Sequence, residues 1–474
     1  MQLTDIVFLI GFFPITFGLY QLLLRAKVKT KTLNLFLLIG SLFFYAWGSL
    51  QSFFILIFVL LWNWVTAKSL AYEEESPLAP QSKKRKHVLW FGVGVNLFVL
   101  FIYKYFASWI GGLFHLFGIS LALPAFPLPI GLSFYIFSSL SYVFDVYYYK
   151  ADPCSLVDFG LFAAFFSRVN MGPVGHYAEF KDQLDNHPVS QKLKREGAAL
   201  FLQGLIFKVM LANNFALVFS TMASNTTWLG NLIYGFAYFF ELYFDFCGYS
   251  RMARGMASFF GFRIGRNFNQ PYQATSVQDF WRRWHISLTD WFRDYVYIPL
   301  GGNRVSQNRW ILNILTVWLL TGIWHGSTWP FVLWGLYQGG MILLERFALN
   351  QTLQKLPGFL QHTYVVIAQL IGWTFFSSAT LGVALSRLGR YLFIGVSGVF
   401  DNAACFTLLS SWVLFVAGIF LCTPLPNKLV QRWSPFLGGN SKGWVGALGY
   451  GLCFLICLAM LISQTSQTFL YANF

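Results

Sequence analysis

Charge is scarce in this chain. Of its 474 residues, 11% are Asp, Glu, Lys or Arg, against about 25% in a soluble domain. That shortage excludes an ordinary water-soluble globule. Cysteine is sparse too. The six, at positions 154, 247, 405, 422, 453 and 457, are scattered and form no CxxC. Neither a disulfide framework nor a thiolate metal site is expected, and Cys453 and Cys457, four apart on one apolar face, read as packing. GxSxG, P-loop and HExxH motifs are missing. Serine-hydrolase, ATPase and metalloprotease chemistry therefore has no support. The N-terminus has no basic leader region and no small-residue cleavage site, so 6–24 reads as a retained first span.

What fills the chain instead is apolar. Hydrophobic residues make up 56% and aromatic ones 20%, and mean hydropathy is +0.56. Runs near the ~20 residues needed to cross a bilayer fall at 6–24, 33–48, 53–71, 88–106, 129–148, 198–222, 228–246, 310–326, 330–344, 363–383, 404–424 and 443–464. The apolar segment 155–175 is interrupted by Asn170, Gly172 and Pro173 and reads as re-entrant. The fold class is all-α: a polytopic membrane protein of about 11–13 spanning or re-entrant helices, with cytoplasmic amphipathic helices. It reads as a single domain over 1–474, with N-terminal helices to 150, a core over 151–346 and C-terminal helices over 347–474. The net charge of +15 belongs in cytoplasmic loops, and no nucleic-acid partner is expected. Lysine and arginine clusters at 25–31, 83–86, 181–195, 251–309 and 428–442 share the cytoplasmic side if the N-terminus is extracytoplasmic. Arg387 and Arg390 then fall on the outer side, against the rule.

The most informative stretch is Ser276–Leu336. Thr275 with Gln278 suggests a capping box, and Pro299, Gly301 and Gly302 suggest a stop. Between them, at about 100° per residue, Phe280, Trp281, Trp284, Leu288, Trp291, Phe292 and Tyr295 share one side. Asp279, Arg282, Arg283, Asp290, Arg293 and Asp294 share the other. The spacing predicts one amphipathic helix with His285 on its aromatic face. Arg282 and Arg283 lie on the solvated face, where they could also meet a phosphate-bearing donor. Trp310–Trp324 is uncharged and ends in Trp324–His325–Gly326. An ionisable group at the end of a membrane helix is a functional hypothesis by default. A lone membrane histidine is as often a packed, hydrogen-bonded residue. The Trp-His-Gly setting and a second inward histidine favour a general base at His325. His285 could orient a donor, stabilise an oxyanion or brace the aromatic face.

Glu241 and Asp245 are one helical turn apart in an apolar run and share a face. Lys208 and Lys104 are their candidate partners, and the pair reads either as a buried polar network or as a substrate or proton path. His87, His187 and His362 lie in polar loops and need no role. No metal site is expected.

FWRRWHISLTDWFRDYVYIPLGGNR (280–304) and GIWHGSTWPFVLWGLYQGG (322–340) resemble the signature of the membrane-bound O-acyltransferases, most closely the bacterial alginate-acetylation branch. LPIGLSFYIFSSLSYVFDVYYYK, FFSRVNMGPVGHYAEF, YFDFCGYSRMARGMASFFGFRIGRNFNQPY, IGWTFFSS and the terminal FLYANF are similar as well. The resemblance implies a helical ring around a central funnel, with His325 catalytic and His285 the second characteristic position. Trp284, Trp324, Glu241, Asp245, Arg282 and Arg283 are the candidate substrate-lining residues. The acyl donor would be acetyl-CoA or an acyl-carrier phosphopantetheine thioester. The acceptor would be an extracytoplasmic polysaccharide, reached directly or through an SGNH-type transferase partner, in a chain embedded in the lipid of the cell membrane. Departures exist at Arg251, Ser167 and Ser377, where relatives carry aspartate, proline and arginine; they bear on the substrate path. D-alanyl or other acyl transfer to teichoic acid is the nearest alternative. A polysaccharide or lipid transporter would also suit Glu241, Asp245 and Lys208, and a scaffold would need neither histidine.

Overall fold

The structure, a computed structural model, describes residues 1–71, 82–120, 123–124, 126–426, 428–429, 442–463 and 469–470, with the side chains of 442–447 excepted. Parts of the loop after the third span, of the 428–442 basic cluster and of the terminal FLYANF lie outside the described residues. Helix is the regular structure of the described residues, with no strand among them. Five helices are long and apolar enough to cross a membrane: Val7–Arg25, Leu50–Ala71, Lys83–Lys104, Gln191–Thr221 and Asn402–Cys422. Other expected spans are shorter helices, such as Thr30–Ala46 and Leu132–Tyr147. The expected 228–246 span runs on to Phe259. The chain divides into two compact units, Met1–Phe201 with Ser250–Gly265, and Leu202–Tyr249 with Arg266–Leu470.

In the first unit, polar side chains do the joining that water does elsewhere. Asn63 and Asn96 exchange amide hydrogen bonds of 2.9 and 3.0 Å between Leu50–Ala71 and Lys83–Lys104. Arg85 belongs to a cluster read as a loop, yet it is buried. It donates to Val146 O and Tyr147 O at the end of Leu132–Tyr147, where a cation complements the helix dipole. The segment expected to be re-entrant is a short helix, Leu156–Ala164, followed by buried non-helical chain. Serines satisfy that irregular backbone: Ser41 Oγ accepts from Phe166 N, and Ser138 Oγ from Gly175 N. Such backbone persists at membrane depth only when the protein itself supplies the partners.

His187 departs from expectation. It is buried against Phe262 at 4.4 Å. Its Nε2 lies 2.9 Å from Asn34 Oδ1, and Asn34 already donates its amide to Asp158 and Leu184 O. His187 Nδ1 lies 3.0 Å from Phe260 O, so both ring nitrogens face acceptors. The Tyr20 hydroxyl, 3.1 Å from Nδ1, donates to the same Phe260 carbonyl. Burial lowers the pKa of this histidine below 6.5.

The second unit holds the helical hairpin Gln307–His325 and Trp329–Leu344. A Cβ at Gly335 would collide with Trp318 O, and one at Gly322 would meet Phe331 O. These glycines let the two backbones touch, the usual device of close helix pairs in membranes. Gly358–Phe376 and then Leu381–Tyr391 follow as separate helices. Arg387 is buried there, stacked 3.4 Å from the Tyr234 ring centroid, and donates to Asn231 Oδ1 and Ala223 O.

The His187 arrangement predicts a stability slope. The folded chain resists protonating His187, so its contribution is complete above pH about 6.5 and is lost as pH falls below it. Melting temperature should drop between pH 7 and 5, and His187→Gln should flatten that slope while lowering stability at pH 7. Equal slopes in the two proteins would contradict the assignment.

Candidate active site

Ser276, not Thr275, caps the first helix of the site: its Oγ accepts from Asp279 N at 3.0 Å. Glu345 adds two further acceptors at the same helix end, for Val277 N and Gln278 N. The helix then stops at Arg283. The expected continuous helix is two, Val277–Arg283 and Ile286–Phe292, with His285 between them in the left-handed region at φ 44°, ψ 51°. Such a backbone is uncommon for a side-chain-bearing residue, though histidine tolerates it better than most.

Asn267 fixes this break. Its carbonyl accepts from Ile286 N at 3.0 Å. Its Oδ1 takes Ser287 N and Ser287 Oγ and lies 3.3 Å from His285 Nδ1. The break turns His285 into aromatic surroundings, 4.6 Å edge-on to Phe246 and 6.5 Å from Trp324. It is 2% exposed, and desolvation holds its pKa far below the ordinary range, so the ring is neutral at physiological pH.

His325 ends Gln307–His325 and is buried. Its ring lies 4.6 Å from Trp324, 4.8 Å from Phe376 and 5.0 Å from Trp334, the last two edge-on. Gly326 follows because a Cβ there would strike the Phe331 ring, which covers the same corner. Trp324 thus faces both histidines. Trp284, 1% exposed, packs 5.0 Å from Trp373. Trp373 in turn lies 6.1 Å from Trp334. Both histidines, Trp284 and Trp324 therefore belong to one aromatic enclosure.

The charged candidates do not join it. Arg282 is exposed, and Arg283 pairs with Asp279 at 3.0 Å on the outer face of its helix. Asp245 binds Lys208 at 2.6 Å and also accepts from Leu470 N. Lys208 is thus the partner of the two considered; Lys104 lies 3.5 Å from Ser133 instead. Glu241 is five residues before Phe246, about 140° round the same helix from the histidine-facing side. Asn267, Trp373 and Phe376 were not singled out in the sequence. The RNFNQPY and IGWTFFSS segments that contain them were the available signal. No metal-type cluster occurs among the described residues.

A helical membrane fold with two histidines sealed in tryptophan defines a class, and comparison with known proteins agrees. The family model of the membrane-bound O-acyltransferases matches residues 9–385. The chain belongs to that family and is an O-acyltransferase. It is 36% identical over 503 residues to the probable alginate O-acetylase AlgI of Pseudomonas putida, covering all of both chains. It is 27% identical to the peptidoglycan O-acetyltransferase of Helicobacter pylori, over 99% of this chain and 96% of that one. It is 30% identical to the teichoic acid D-alanyltransferase of Bacillus subtilis over 39% of this chain and 50% of that one.

The left-handed backbone makes His285→Asn the informative variant. Asparagine accepts that backbone and retains an amide donor. His285→Asn should keep measurable transfer, while His285→Ala should lose about tenfold or more per folded molecule. If both changes only lower melting temperature, with specific activity intact, His285 is a packing residue.

Proposed function

We propose that this enzyme moves an acetyl group from a cytoplasmic thioester to hydroxyls of an extracytoplasmic polysaccharide. The observation that carries the proposal is the enclosure of His325 at a helix end, sharing Trp324 with His285. The donor is acetyl-CoA or an acyl-carrier phosphopantetheine thioester. His325 takes the proton of the attacking hydroxyl, whose oxygen bonds to the thioester carbonyl carbon. Collapse of the tetrahedral adduct expels the thiolate, and the proton is returned. His285, neutral and oriented through its Nδ1–H by Asn267, steers the donor against the aromatic wall. The enclosure excludes water, which would otherwise hydrolyse the thioester.

Two relatives named for acetylation of a polysaccharide, matched over nearly the whole chain, support the acetyl and polymer assignments. D-alanyl transfer to teichoic acid has support over a smaller part of the chain. An extracytoplasmic SGNH-type partner would complete delivery, since the connections 222–227 and 392–401 on that side are short. The N-terminus is extracytoplasmic in this reading, because that places the basic clusters inside. Buried Arg387, hydrogen-bonded within the protein, accounts for one exception on the outer side.

His325→Ala should lower transfer by about 10²–10⁴-fold, the usual worth of a general base, with insertion and melting temperature retained. Substantial activity in the folded variant would rule out His325 as the general base. A cysteine at exposed Gln191 should resist an impermeant thiol reagent in intact cells, and one at exposed Ser224 should react. The reverse pattern would invert the topology.

A further inference from the structure

The two helices of the His325 hairpin carry no charge from Trp310 to Trp324 or from Trp329 to Leu344. Charge returns at the same end of both, with Arg309 on one and Glu345 and Arg346 on the other. That end is the membrane–water boundary of the hairpin. A pocket of about 870 Å³ opens there, within the size range of ligand sites. The histidine chemistry does not use it. Trp310 in its wall is fifteen residues before His325, about 22 Å of helix.

The lining is graded from polar to apolar along the helix axes. Asn303, Gln307, Asn350 and Gln354 line the aqueous end, and Trp310 and then Ile314 follow deeper on the first helix. Ile314 lies seven residues beyond Gln307, about 10 Å at 1.5 Å per residue. On the facing helix Ile342 is one turn deeper than Arg346. At the level between, Trp310 Nε1 donates to the Tyr297 hydroxyl at 2.9 Å, and its ring stands edge-on to Phe347 at 5.9 Å. Phe347 is 53% exposed, as befits a ring in an interfacial aromatic belt. Glu345 and Arg346 are the charged lining residues. Glu345 is committed to Val277 N and Gln278 N, whereas Arg346 is exposed. Arg304 and Arg309, exposed as well, adjoin lining residues in the chain. The pocket is thus positive at its mouth, rich in carboxamides on its walls and apolar at its floor.

We propose that this pocket holds the headgroup of an anionic phospholipid, with the acyl chains leaving past Ile314 and Ile342 into the bilayer. A soluble nucleotide or sugar phosphate would match the arginine and the carboxamides, but not a floor at the depth of the hydrocarbon. The phosphate meets Arg346, in a field to which Arg304 and Arg309 add. Headgroup hydroxyls bond the carboxamides, each of which offers both donors and an acceptor. In the topology proposed above this is the cytoplasmic leaflet, whose lipids give it a negative surface. The bound lipid touches the start of the His325 helix, the end of its hairpin partner and, at Gln278, the helix that leads to His285. The folded chain alone brings these three together, so binding stabilises it by mass action.

The test uses the full chain purified in a neutral detergent and stripped of lipid, read by melting temperature and native mass spectrometry. Phosphatidylglycerol should raise the melting temperature by several degrees and persist as a one-to-one adduct, bound several-fold more tightly than phosphatidylcholine. Arg346→Gln, at an exposed side chain, should fold as wild type and weaken phosphatidylglycerol about fivefold. Asn350→Trp fills the pocket from its exposed rim and should abolish the adduct. Arg25→Gln removes an exposed arginine at the end of Val7–Arg25 and should change neither readout. Glycerol 1-phosphate, the headgroup without its chains, should bind at least tenfold more weakly, the worth of about two buried methylenes. Equal effects of the two lipids, or an intact adduct in Asn350→Trp, would reduce the pocket to a surface cleft. Glycerol 1-phosphate or coenzyme A bound as tightly as phosphatidylglycerol, and lost in Arg346→Gln, would assign the pocket to a soluble anion and overturn the lipid.

Discussion

Every polar atom buried among apolar helices has to find its partner inside the protein. An unmade buried hydrogen bond costs about 1–3 kcal/mol, whereas a good aromatic contact contributes about 0.5–1.5 beyond its buried area. Polar satisfaction therefore decides where the chain departs from helix, and aromatic packing fills in around it. Serines close the irregular turn after Leu156–Ala164. Asn267 closes the break at His285, with four polar atoms of residues 285–287 directed at its two oxygens. Without Asn267 the left-handed histidine would have little to hold it.

That break gives the site its geometry. In a continuous helix His285 would be one position in a stripe. As a corner between two short helices it is turned toward Phe246 and Trp324, and Trp324 is the neighbour of His325. The close approach at Gly322 and Gly335 positions the end of the second helix in the same way. Rings packed edge-on leave each imidazole little freedom. A proton acceptor held so needs small reorganisation when a hydroxyl arrives.

Much of this was legible in the sequence. Uncharged runs gave the helices, and the Trp-His-Gly turn gave His325. The four-residue spacing of Glu241 and Asp245, with Lys208 nearby, gave the ion pair. The misses share a cause. Nothing local distinguishes Ser276 from Thr275 as the cap, because both side chains can accept. His187 sits between Asn186 and Pro188 and reads as loop, yet its stacking partner Phe262 is far along the chain. Arg85 is one basic residue among four, and the carbonyls that claim it are about sixty residues away. In each case the deciding partner is remote, so a local pattern could not show it.

In the proposed reaction, transfer through the sealed histidine enclosure is sided: thioester is consumed on one face and ester is formed on the other. The most direct measurement uses vesicles of defined orientation holding the purified protein, with a radiolabelled acetyl thioester supplied on one face at a time and polysaccharide on the opposite face. Label should reach the polymer when the thioester is on the cytoplasmic face, and should not when it is supplied only outside. Equal labelling from either face, or labelling only from the outer face, would contradict the claim.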